Sequence, residues 1–155
     1  MTNNAELIRK FYTAFQQKDF LTMQSCYHHA ASFTDPVFQD LDSKEVKAMW
    51  QMLLTSSKDL RITFDNIKSE GDTGSCHWEA WYSFSRTGRS VHNIIDATME
   101  FKDGLIYRHK DRFDLWRWSR QALGTSGMLL GWTPIVSNKV RATARKSLDK
   151  FLNKL

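Results

Sequence analysis

The spacing of the apolar residues changes once along this chain, near Leu60, and that change sets the fold class. Before it, Leu7, Ile8, Phe11, Tyr12 and Phe15 recur at the spacing of one helical face. After it, Leu60, Ile62 and Phe64 alternate with Arg61, Thr63 and Asp65. Cys76, Trp78, Ala80, Tyr82 and Phe84 then alternate with His77, Glu79, Trp81 and Ser83, the period of a strand with two unlike faces. Turn signals fall at Gly71–Gly74, Thr87–Arg89 and Lys102–Gly104. Four strands joined by tight turns predict an antiparallel meander. Helices first and a meander afterwards predict an α+β domain with helices over one sheet face.

Finer signals place the remaining elements. Asn4 is a candidate N-cap for the first helix, and a second helix after Asp19 would bury Phe20, Met23 and Tyr27. Ala31 to Val37 reads as a short strand ended by Pro36. Asp42-Ser43-Lys44-Glu45 has the form of a capping box, opening a helix with Val46, Met49, Trp50 and Leu53 on one face. Leu115 to Leu123 reads as a short helix, Gly124 to Gly127 as a turn, and Met128 to Val136 as an apolar connection. Val140, Ala144, Leu148, Phe151 and Leu155 then form a helical stripe. We therefore expect a domain over residues 1–123 and an extension over 124–155.

Charge separates the same two parts. Between Ser137 and Leu155 lie Lys139, Arg141, Arg145, Lys146, Lys150 and Lys154 against Asp149 alone, which accounts for the whole net charge of +5. The rest of the chain is balanced, so the basic character is not the broad positive face that nucleic-acid binding requires. The basic helix is expected to dock on the domain rather than to lie on a membrane. The two cysteines, with no leader-like segment at Met1, suggest free thiols and a cytoplasmic protein. No ligand spacing suggests a metal, and no phosphate-cradling loop or redox motif suggests a cofactor.

Chemistry concentrates between Gly104 and Gly124, where His109, Asp111 and Asp114 stand among Ile106, Tyr107, Phe113, Leu115, Trp116 and Trp118. Alternation puts His109 and Asp111 on one strand face and Asp114 on the other. Asp114 has two readings, a pocket acid with a raised pKa or the cap of the helix that follows. Asp35, before a proline, is either a second acid or a turn former. His109 with Asp111 is either a tuned pair or a solvated ion pair. Phe11, Phe15, Trp50, Trp78, Tyr82, Asn93 and Trp116 are candidate pocket residues. His92, Asp96, Thr98 and Glu100 lie on the opposite, polar face.

Two motifs resemble the nuclear transport factor 2-like superfamily, which includes ketosteroid isomerases and SnoaL-like polyketide cyclases. Phe33-Thr34-Asp35-Pro36-Val37 is similar to the segment carrying the isomerases' proton-transferring aspartate. Gly104-Leu105-Ile106, His109, Asp114 and Gln121-Ala122-Leu123-Gly124 are similar to the strand and following segment of SnoaL-like cyclases, whose acid falls on Asp114. The resemblance covers the first four-fifths of the chain. It implies a cone of curved antiparallel sheet around an apolar pocket, in a homodimer formed through the outer sheet. It also implies binding of a small apolar carbonyl compound and cofactor-independent acid/base isomerisation or cyclisation, with Asp114, Asp35 and His109 as catalytic candidates. The alternative is a non-catalytic binding or interaction module. The isomerases' oxyanion hole is not matched: their helix-one tyrosine falls on Phe11, with Tyr12 turned to another side, and their strand acid falls on Ala97, not Asp96. That argues against steroid isomerisation.

Overall fold

The computed structural model describes residues 3–155. Helices α1 (Asn3–Gln16) and α2 (Phe20–Ser25) precede strands β1 (Tyr27–Thr34) and β2 (Leu41–Asp42), and α3 (Ser43–Ser56) follows. The meander is β3 (Arg61–Glu70), β4 (Thr73–Ser83), β5 (Ser90–Lys102) and β6 (Leu105–Arg112). Helices α4 (Leu115–Leu123), α5 (Thr125–Leu130) and α6 (Pro134–Leu152) complete the chain. One six-stranded, curved and unclosed sheet has the order β2-β1-β6-β5-β4-β3. This is the α+β arrangement expected from the change of period, and its curved sheet is the cone that the family resemblance implies.

Local chemistry explains most boundaries. Asp42 accepts from the Glu45 amide while Glu45 accepts from the Asp42 amide, so the capping box starts α3. Between β5 and β6, Asp103 and Gly104 both take positive φ, 55° and 74°, the pair of left-handed residues that a two-residue hairpin needs. Asn4 lies inside the first turn of α1 rather than capping it, and its amide donates to the Gly71 carbonyl. β1 begins earlier than expected, because Tyr27 pairs with Ile106 as a strand residue instead of extending α2. It also ends earlier: Asp35 turns the chain by accepting from the amides of Val37 and Phe38.

Alternation holds along β5, while the register shifts between Asp65 and Lys68 and between Glu100 and Phe101. On β5, Val91, Asn93, Ile95, Ala97, Met99 and Phe101 are buried, while Ile94, Asp96, Thr98 and Glu100 are exposed. Met99 pairs with His109 and Ala97 with Asp111, which brings His109 and Asp111 of β6 to the inner face. α1 and α3 cover that face, with Phe11, Tyr12, Val46, Met49 and Trp50 buried against it.

The C-terminal segment differs from the expected turn and connection. Residues 125–130 form α5, and α6 starts at Pro134, whose missing N–H and fixed φ suit the first helical turn. α6 docks on the domain: Leu148 is fully buried, Arg145 pairs with Glu45 of α3, and Arg141 Nε donates to the Pro36 carbonyl at 2.9 Å. Among the described residues no helix is long and apolar enough to cross a membrane.

Candidate active site inside the cone

A chain of buried hydrogen bonds crosses the closed end of the cone. Trp50 Nε1 donates to Tyr27 Oη at 2.9 Å, which leaves the phenol hydrogen to go to His109 Nδ1, 2.8 Å away. His109 therefore carries its hydrogen on Nε2 and donates it to Asp111 Oδ1 at 2.9 Å. Burial holds the Tyr27 phenol well above its usual pKa, which keeps it a donor. Three elements converge here, α3 with Trp50, β1 with Tyr27 and β6 with His109 and Asp111. The pair is not the solvated ion pair of the simpler reading, since His109 and Asp111 are each only 3% exposed.

Rings fill the space around this chain. Phe33 and Phe11 stand edge-on to His109 at 4.9 and 5.8 Å, and Phe15 contacts both Trp50 and Trp78 at 5.0 and 5.1 Å. Phe11, Phe15, Trp50 and Trp78 are all buried in this interior. Asn93 is also buried there, on the inner face of β5.

Tyr12 corrects the reading that turned it away from this face. It is fully buried, 6.0 Å from the Trp78 ring, and its hydroxyl has no hydrogen-bond partner among the described residues. Trp78 Nε1 is likewise buried and unpartnered. An orphaned buried donor costs about 1–3 kcal/mol, so an acceptor reaching either group would be stabilised. Burial, and after it the charge of Asp111, holds the Tyr12 phenol well above its usual pKa.

Asp35 sits at the end of β1. The residue is half-buried, yet burial of its carboxyl raises the pKa to about 7, with the charge of Asp111 acting in the same direction. The bonds from Phe38 and Val37 oppose the rise without cancelling it. Asp35 is therefore both turn former and perturbed acid. Tyr82 of β4 feels the Asp35 charge, and its hydroxyl accepts from Trp118 Nε1 at 2.7 Å, which leaves its own hydrogen free to donate.

Asp114 occupies a different place. It is exposed, and its carboxylate caps α4 by accepting from the Arg117 amide at 3.0 Å. β6 has ended two residues earlier, so strand alternation no longer aims this side chain. Trp116 is also outside the cone, 40% exposed and stacked on Arg120. Asp96 faces outward and pairs with His77 at 2.8 Å, as register requires. Tyr27 and Tyr12 were not among the candidate residues, and Asp111 was weighed only as the partner of His109, whose strand face it shares.

Sequence and structure comparisons agree with this architecture. The profile of the SnoaL-like domain matches residues 8–109. The chain belongs to the SnoaL-like domain family. The match runs from α1 to His109, so Asp111 and helices α4–α6 lie beyond it. Among solved structures, a nuclear transport factor 2-like protein of unknown function from Burkholderia pseudomallei superposes with a TM-score of 0.65 at 20% identity, covering 74% of this chain and 92% of its own. IdmH from Streptomyces antibioticus, a candidate polyketide cyclase, gives 0.65 at 21% identity over 79% of this chain and 99% of its own. An LEH-like epoxide hydrolase from M. tuberculosis gives 0.65 at 14% identity over 83% and 96%. At these identities the likeness is one of fold. No curated protein sequence matches the chain.

Proposed function

We propose that this SnoaL-like protein binds a small apolar carbonyl compound in the cone and moves a proton at the carbon beside the carbonyl. The observation that carries this reading is Asp35, a half-buried residue whose carboxyl is raised by burial to about 7. Such a group accepts and returns protons near neutrality, whereas an ordinary aspartate is too weak a base. The enolate formed would need donors, and the unpartnered Tyr12 hydroxyl and Trp78 Nε1 supply two. In this reading the oxyanion hole missing at Phe11 and Ala97 is replaced by Tyr12 and Trp78. His109 and Asp111 hold a fixed charge and dipole behind the site rather than meeting substrate.

Asp114 is left out of the proton transfer because its carboxylate is engaged at the start of α4. Neighbours described as a candidate cyclase and an epoxide hydrolase fit an interior suited to polar chemistry on apolar substrates. We further propose a homodimer through the outer sheet face, which native mass spectrometry would report together with any copurified ligand. A second reading, a binding module without turnover, is favoured by the ring packing of Phe11, Phe15, Trp50 and Trp78, which fills the deep end of the cone.

The experiment is hydrogen–deuterium exchange at the α-carbon of cyclic enones and diketones in heavy water, followed by mass spectrometry. Exchange faster than buffer and lost in Asp35→Asn is expected. Ligand binding with no exchange would favour the module. Exchange retained in Asp35→Asn would remove Asp35 as the base.

A further inference from the structure

Outside the cone, the segment from α5 into α6 holds the densest run of exposed large apolar side chains among the described residues. Met128, Leu129, Leu130, Trp132 and Ile135 are each at least half exposed, Trp132 at 69% and Ile135 at 75%. Single exposed leucines are ordinary, but five such residues within eight positions form a patch. The patch is firmly placed. Gly127 lets α5 lie directly on α4, where a Cβ would come within 1.9 Å of the Ser119 carbonyl oxygen. Trp132 Nε1 and the Thr133 hydroxyl are tied back to the carbonyls of Leu129 and Leu130.

The surroundings of the patch are basic. A cleft of about 370 Å³ is lined by Arg89, Ser90, Arg117, Arg120, Gln121 and Met128, so the arginines and the apolar tip share a wall. Arg89 is held by the Gln121 carbonyl and Arg117 by the His92 carbonyl, while Arg120 stacks on Trp116. None of the three makes a salt bridge among the described residues. Leu115 to Leu148 contains no acidic residue at all, and Lys139 stands one helical turn beyond Ile135. Fixed guanidinium groups without carboxylates leave room for phosphate.

We infer that the α5–α6 turn docks on a bilayer bearing anionic phospholipid. Leu129, Leu130, Trp132 and Ile135 enter the boundary between headgroups and acyl chains, and the arginine cleft receives a lipid phosphate. Trp at the interface with arginines beside an apolar tip is the composition that such a surface favours. The contact is peripheral, since no helix among the described residues can span. It also differs from the expected role of the basic helix, whose Ala144, Leu148 and Phe151 pack on the core of the domain. The inference is independent of the chemistry proposed inside the cone.

Sedimentation of the full chain with vesicles of phosphatidylcholine, alone or mixed equally with phosphatidylglycerol, tests it. Binding to the anionic vesicles is expected to exceed binding to the neutral ones by about tenfold or more, and to fall as salt rises. Arg120→Gln should weaken it roughly fivefold. Leu129→Ser with Ile135→Ser should abolish it while leaving thermal unfolding unchanged, because both side chains are already exposed. A blue shift of emission on adding anionic vesicles should be lost in Trp132→Phe. Equal binding to both vesicle types would overturn the inference. So would no binding, or self-association that the Leu129→Ser/Ile135→Ser variant removes without any effect of vesicles.

Discussion

The two faces of the sheet carry the same chemical groups to different ends. On the inner face, His109 is joined to Asp111 and Tyr27 in a chain that begins at Trp50. On the outer face, His77 bonds Asp96 and Glu79, and Glu79 also bonds His92, which stacks on Trp81. One residue of register separates them: His77 faces out where Trp78 faces in, and Asp96 out where Ala97 faces in. Exposed pairs contribute about 0–1 kcal/mol. Buried ones are costly to break, because the partner left behind has no water to turn to. The same imidazole and carboxylate are decoration on one face and architecture on the other.

Asp35 gives the largest expected departure from outer-face behaviour. Its pKa in the fold is raised from 3.8 to about 7, so the folded state holds its proton more tightly than the unfolded chain. That contribution to stability is complete below about pH 4 and is lost as pH rises through 7. Asp35→Asn, which mimics the protonated form, should gain roughly 3–4 kcal/mol relative to the parent protein between those limits. Urea unfolding at several pH values measures this, and a difference that does not vary with pH would place Asp35 with the solvated carboxylates.

His109→Leu should cost about 3 kcal/mol, since it strands the Asp111 carboxylate and the Tyr27 hydroxyl. A loss under 1 kcal/mol in denaturant titration would make the inner pair no different from the outer one. Trp50→Phe removes only the first donor of the chain, and a loss of about 1 kcal/mol is expected. The smallest effect belongs to His77→Gln. The Asp96 and Glu79 hydrogen bonds raise the His77 pKa from 6.5, so its stabilising contribution is present below about 6.5 and fades as pH rises through the raised value. The variant should therefore differ from the parent protein by less than about 1 kcal/mol, and only on the acidic side.

Much of the architecture was legible because it follows from periodicity. Leu60 to Phe64 and Cys76 to Phe84 alternate, and the Asp42–Glu45 box and the Asp103-Gly104 turn are local signals that tertiary contacts did not override. Helix α5 escaped notice because its two neighbouring glycines read as a turn, when Gly127 serves close packing on α4. The site was harder to read. Asp114 and Asp111 are both acids among aromatic residues, and only the point at which β6 stops separates an N-cap from an inward carboxylate. Tyr12 was assigned away from the pocket because Phe11 occupied the expected position, yet both rings are fully buried under the curved sheet. The shift of Asp35 depends on how β1, β6 and α6 close around one turn, which no local pattern encodes.

If the cone holds an acid poised near neutrality, Asp35 reports on it directly. Carboxyl ¹³C NMR titration of the protein, with Asp35 assigned by comparison with Asp35→Asn, should give a midpoint of about 7. A midpoint close to 4, the value of a solvated aspartate, would contradict it.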